Sequence, residues 1–446
     1  MIALDKNRAK TERYVADYEK IEGEIAAHEP IWLHQIRKEA ISRFQELGFP
    51  TIKEEEWRHT NVTPIVKREF TLAGAAAIDS LPDTIHHVTF PDSDFTQLVF
   101  VNGFFSPRLS HLNSLQDGIR VESLAQAIAC DANALEPYLS RLGSYEEHPF
   151  AALNTALFRD GAYVHIKKGV VARTPIHLLF ISTSPKQAVV SYPRTLVVAG
   201  AESQATIIES YAGVEGEVYF TNAVTEIAVG ENAVIEHYKL QRESAQAFHI
   251  ANMLFYLDRS SNFASHSISL GGSLVRNNVN AALNDEGIEC TLNGLVMAAG
   301  KQHIDNHTYI DHARPHCASH ELYKNIVDDH ATGVFKGKIL VRRDSQKTDA
   351  KQTNMTLLLS DEASIDSMPQ LEIYADDVKC THGATTGRLD ENALFYLRTR
   401  GIGKPAAKNL LTYAFANEII NRIRIDAVRE QLEQILRERL PFEQND

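Results

Sequence analysis

GENAVIEH, residues 230–237, returns as SDEASIDS at 360–367 and, more loosely, as SQATIIES at 203–210. Each stretch opens on a small or acidic turn and then alternates apolar with polar side chains. That period of two is the mark of a strand with one buried face. Around these stretches, from about 160 to 382, long helical periodicity is missing. Short runs rich in Val, Ile, Thr, Phe and Tyr recur instead, among them AYVHIKK, IHLLFIS, RTLVVAG, NMLFYLD and KILVRR, separated by Gly, Asn, Asp and Ser. So many short strands without intervening helices fit a sandwich, a barrel or a β-helix. A turn-then-strand unit returning every roughly 25 to 30 residues favours the solenoid.

Helical patterning returns on both sides. Leu33, Ile36, Ala40, Phe44 and Leu47 fall at helical spacing between Pro30 and Gly48, so residues 1 to about 50 read as helix. Between 51 and 150 the pattern is mixed. QLVFVNGFF reads as a strand entering a turn at Asn102–Gly103, and ESLAQAIACDANALEPYLSRL reads as helix. After Gly387, LDENALFYLRTR opens on an Asp390 cap and closes on Arg398, Arg400 and Gly401. Beyond Pro405, Leu411, Phe415, Ile419 and Ile423 form an apolar stripe, extended by AVREQLEQILRERL. The stripe fits packing onto the chain's own core or docking of a partner. The expected division is a helical 1–75, a mixed connecting region 76–158, a β core 159–387 and a helical 388–446.

Composition narrows the function. The chain has 446 residues, 44% of them hydrophobic and 23% charged, with a net charge of -13. Such acidity argues against nucleic-acid binding. No apolar run approaches the roughly 20 residues that span a bilayer, and MIALDKNRAKTERYVADYEK has no apolar signal core, so a cytoplasmic location is expected. The four cysteines (Cys130, Cys290, Cys317 and Cys380) form no C-x-x-C pair. No phosphate-binding G-x-x-x-x-G-K-[ST] loop is present, so no nucleotide is expected on this chain, and H-E-x-x-H and G-x-S-x-G are absent as well.

Two stretches carry metal-ligating chemistry. HIDNHTYIDHARPHCASH, 303–320, holds His303, His307, His312, His316, Cys317 and His320. Pro315 breaks a helix that would align His312, His316 and His320. On a strand, His303 and His307 share a side but lie about 13 Å apart, too far for one metal. A polar, hydrogen-bonded strand face is the reading, with a metal assembled between coils as the alternative. In DDVKCTHGATTG, a strand through 372–382 would put Cys380 and His382 on one side, with Cα atoms about 6.6 Å apart. Thiolate and imidazole suit iron, copper and zinc, but a closed site takes four ligands. The pair is therefore either structural or completed by a second chain.

The run GKILVRRDSQKTDAKQTNMTLLLSDEASIDSMPQLEIYADDVKCTHGATTGRLDENALFYLRTRGI, 337–402, resembles the SufB/SufD family of iron–sulfur cluster assembly proteins. QKTDAKQTN, LLLSDEA, P-QLEI-ADDVKC-HGAT-G and FYLR-RGI carry the resemblance, and EEEWRHTNV at 54–62 is similar to the family too. Within the family the chain is most like SufD, because HG follows Cys380-Thr381 where SufB chains carry CEHEA. The resemblance implies a mainly β fold, a right-handed parallel β-helix core flanked by N- and C-terminal helical domains. It implies a non-enzymatic scaffold that pairs with a SufB-like chain and docks the SufC ATPase through its C-terminal helices. It places a transient iron–sulfur cluster at the partner interface, with His382, beside Cys380, as candidate ligand. A reduced flavin in the complex and a homodimer of the isolated chain stay open. A SufB-type scaffold and a β-helix enzyme acting on polysaccharide are the competing readings.

Overall fold

The computed structural model describes residues 2–74, 88–90, 93–112, 115–143, 145–184 and 186–441, with side chains from residue 11 onward. Part of the connecting region, 75–87, lies outside the described residues. Most strands from Gly161 to Gly387 alternate between two facing sheets, which together with the four strands before Gly161 number eleven and ten. Almost every neighbour pair in these sheets is parallel, giving a β-solenoid of about eight turns. Side-chain hydrogen bonds join equivalent positions of neighbouring coils, as in Asn278 to Asn252, 26 apart, and Thr332 to Ser364, 32 apart. The sandwich reading is thereby excluded.

The register refines the repeat. Val234 lies beside Gln204, so the equivalent of 230–237 in the previous coil is 200–207, not 203–210. SDEASIDS begins a strand of the other sheet, Ser364–Ile373. Each coil therefore carries two turn-then-strand units. One corner recurs coil after coil with a residue in left-handed backbone: Glu202, Asn232, Ser260, Gly287, His316 and Lys347. The amides of Asn232, Ser260 and His316 there donate to carbonyls of the following coil. His316 is thus a corner residue of the solenoid.

Inward-facing positions divide the lumen into an apolar part and a polar part. Ile227, Val229, Phe255, Phe263, Leu283, Ile310 and Phe335 belong to the apolar cluster. Opposite them runs a hydrogen-bonded polar column. Glu209 meets His237 at 3.1 Å, His237 meets Ser265 at 2.9 Å, and Lys239 meets His249 at 2.8 Å. Buried polar groups persist where they satisfy one another.

At the amino-terminal side the expected single helical stretch is two helices, Ile2–Ala26 and Ile31–Leu47. Leu33, Ile36, Ala40 and Phe44 are buried as the spacing predicts. A further helix, Pro149–Leu157, escapes sequence reading because all nine residues are buried and no polar face marks a period. Buried Arg37 donates to the carbonyls of Ala156 and Phe158 at its end, where a cation complements the helix dipole. Asn102 and Gly103, both at positive φ, turn the strand Thr96–Val101 into Phe104–Phe105 as expected. The Leu124–Leu135 helix forms with a kink at Asp131.

At the carboxyl-terminal side three helices follow: Glu391–Thr399, Lys404–Ile420 and Asp426–Arg439. Ile419, Ile423, Val428, Leu432 and Leu436 pack on Ile208, Tyr238, Leu240, Ile268 and Leu295 of the ten-stranded sheet. Ile419 and Ile423 are therefore committed to the chain's own body, half-buried Phe415 packs against the same cluster, and Leu411 and Phe415 remain partly exposed. Among the described residues no helix is long and apolar enough to cross a membrane.

Burial pushes His177 down to about 3 and both His266 and His312 down to about 4, and pushes Glu321 up to about 7. Between roughly pH 4.5 and 6.5 the three histidines are neutral when folded and protonated when unfolded, while Glu321 does the reverse. Counting these four groups, the unfolded chain binds about two more protons, so stability should fall by about 3 kcal/mol per pH unit on acidification from 6 to 5. Denaturant midpoints at pH 7, 6 and 5 test this. A flat profile would contradict it.

Candidate functional site at the open end of the solenoid

The two ends of the solenoid differ. At the first end, antiparallel pairings of Thr96–Val101 with Phe104–Phe105 and of Ile119–Ser123 with Gly161–Ile166 close the stack. At the last end, Ser364–Ile373 and Lys379–Gly387 each terminate a sheet, and no described strand pairs with their outer edges. Such long free edges are templates for another chain unless they are blunted. Pro369 in the first of them occupies a position that edge strands tolerate.

Cys380 and His382 lie on this last coil. The expected continuous strand through 372–382 is interrupted: one strand ends at Ile373 and the next starts at Lys379. The turn between is tied to the coil beneath by Lys347 N to Asp377 O, 2.6 Å, and Lys379 N to Thr348 O, 2.8 Å. Cys380 and His382 still share one strand at positions i and i+2, hence one face. That face is the lumen, because Cys380 registers with Ala350 and packs against the apolar cluster. His382 registers with Gln352. In the coil beneath, Ala350 is 0% and Gln352 1% exposed, whereas Cys380 is half-buried and His382 exposed, since no further coil covers them. Burial, with the nearby Asp349 charge adding to it, pushes the Cys380 thiol up from its usual range. The thiol is protonated at neutral pH, so the imidazole is the readier ligand.

The conspicuous histidines are scattered. His303 meets Thr60 Oγ1 at 2.9 Å, and His307 Nε2 meets Asp305 at 3.1 Å, on the outer face of the eleven-stranded sheet. His312 is buried in the lumen with Ser319 Oγ at 2.9 Å. His316 is a corner residue and His320 is exposed. Cys317 is buried, its Sγ donating to Asp285 O. The His303–His307 face instead clamps the segment Glu56–Thr60. Arg276 stacks on Trp57 at 3.7 Å and pairs with Asp305 at 3.0 Å, Lys336 pairs with Glu56 at 2.7 Å, and Thr60 donates to Asp305. Sequence reasoning missed this clamp. Its signal was the charged EEEWRHTNV, whose partners lie more than 200 residues away.

Two family models match the chain: the SufBD protein N-terminal region over residues 8–178, and the SufBD core domain of SUF-system FeS cluster assembly over 180–415. The chain belongs to the SufB/SufD family. An iron–sulfur cluster assembly SufBD family protein of Synechocystis sp. is 36% identical over 406 residues, covering 89% of each chain. The iron–sulfur cluster assembly protein SufD of Escherichia coli is 32% identical over 400 residues, 88% of this chain and 90% of that one. SufD of Bacillus subtilis is 25% identical over 414 residues, 92% and 94% respectively. The two family models thus run through the amino-terminal helices, the solenoid and its open end, as far as residue 415.

Proposed function

We propose that this chain acts as the SufD-type scaffold subunit of iron–sulfur cluster assembly, working in the cytoplasm with SufB- and SufC-type partners and performing no catalysis itself. The observation that carries the proposal is the open last coil, where two free strand edges frame Cys380 and His382. One chain offers too few ligands for a cluster. A SufB-like chain stacked end to end on the free edges would cover the coil, satisfy its backbone groups and complete the ligand set around the nascent cluster. Here the cluster is cargo, held transiently. The ATPase docks on the exposed face of Glu391–Thr399, where Phe395 is 68% and Tyr396 56% exposed beside Arg398 and Arg400.

Mixing the chain with its SufB- and SufC-type partners, ATP, Fe(II) and a sulfide donor tests the reading. A 1:1 complex with the SufB-type chain that gains cluster absorbance is the expected result. Absence of association would refute it. His303→Ala, His307→Ala and His312→Ala should each leave cluster yield near wild type, with stability losses of about 1–3 kcal/mol from unpaired buried partners. A large loss of bound iron at unchanged melting temperature would overturn the structural role of those histidines.

A further inference from the structure

Directly beneath His382 in the lumen lies a buried amide with an unused acceptor. Gln352 is 1% exposed and registers with His382, so the two side chains leave neighbouring strands on the same face, about 4.8 Å apart. Gln352 Nε2 donates to Glu321 Oε2 at 2.6 Å, one coil deeper, where Glu321 is itself buried. That bond fixes which way the amide points. Its oxygen, Gln352 Oε1, is left buried without a hydrogen-bond partner. Leaving such an acceptor unmatched costs about 1–3 kcal/mol, so it calls for a donor. The space for the amide is shaped from the opposite sheet. A Cβ at Gly337 would stand 2.3 Å from Gln352 Nε2, so only glycine lets the amide sit there.

We propose that Gln352 is a positioning residue for His382: its amide oxygen accepts the imidazole N–H and turns the other ring nitrogen outward, toward iron at the partner seam. The inference rests on His382 being a ligand, as proposed above. It converts an exposed, freely rotating ring into a ligand of set tautomer, anchored through Gln352 to Glu321. Second-sphere hydrogen bonds of this kind commonly raise metal affinity by about tenfold to a hundredfold.

The test has one arm that needs no iron. In the full-length isolated chain labelled with 15N in its histidine rings, His382 should show one dominant tautomer. Gln352→Met, of similar length but without the acceptor, should shift His382 toward the tautomer mixture of free imidazole. In the complex with both partner chains, Gln352→Met should weaken Fe(II) binding about tenfold or more at unchanged complex size. Should Gln352→Met not fold, Gly337→Ala displaces the amide instead and carries the same expectations. A wild-type tautomer ratio and wild-type Fe(II) affinity in the acceptor-less variant would overturn the inference. Wild-type Fe(II) affinity in His382→Ala would instead overturn the ligand reading, whatever the tautomer of the intact ring.

Discussion

His382→Ala should cost the assembled complex most of its cluster, roughly tenfold or more in yield, while the complex elutes at its normal size. The ring is exposed and its one proposed contact within the chain is the Gln352 amide, so its removal should cost no more than about 1 kcal/mol of stability. One side chain also contributes little to an interface spread over two strand edges. Cys380→Ala should be milder. The Cys380 thiol is pushed up by burial and leans into the apolar lumen, so it must lose a proton before it can bind iron. Cluster absorbance with size-exclusion chromatography separates the outcomes. Wild-type yield in His382→Ala would remove His382 from the site, and loss of the complex itself would mark it as structural.

Phe395→Asp combined with Tyr396→Ala should abolish ATPase binding, at a loss of about 2–4 kcal/mol or more, because exposed aromatics beside arginines are where interface energy concentrates. Folding should be spared. On Glu391–Thr399 only Leu394 is buried. Ile419→Asp, by contrast, should destabilise the chain, because Ile419 packs between the last helices and the outer face of the sheet. For the same reason, deleting 388–446 should not leave a clean β body. It would uncover Ile208, Tyr238, Leu240, Ile268 and Leu295, and aggregation is expected. Calorimetric titration with the ATPase, alongside melting curves, distinguishes docking from folding. Full-affinity binding by the aromatic double variant would place the docking surface elsewhere.

The solenoid was legible because its coils repeat chemistry. A small or acidic turn followed by an alternating strand returns often enough to be seen in GENAVIEH and SDEASIDS. The phase of the repeat was harder, since two turn-then-strand units occur per coil and neighbouring units in sequence lie on opposite sheets. Pro149–Leu157 was invisible because burial on every side erases helical periodicity. The apolar stripe was seen, but not which surface it covers, because a helix face reads the same whether its own sheet or another protein lies against it. At the site, Cys380 and His382 could be paired by spacing alone. Gln352 could not, because its place beneath His382 depends on the register between coils. The histidines of 303–320 drew the eye through density, yet strand alternation and a corner at His316 send them to different faces.

The central claim is that an imidazole of this chain touches the cluster across the seam with its partner. Electron spin-echo spectroscopy on the reduced cluster in the complex, with only this chain labelled in 15N-histidine, measures that contact directly. A 15N coupling at the strength of a directly bound imidazole, lost in His382→Ala, is the predicted result. A cluster signal without any 15N coupling, or one that survives His382→Ala unchanged, would contradict it.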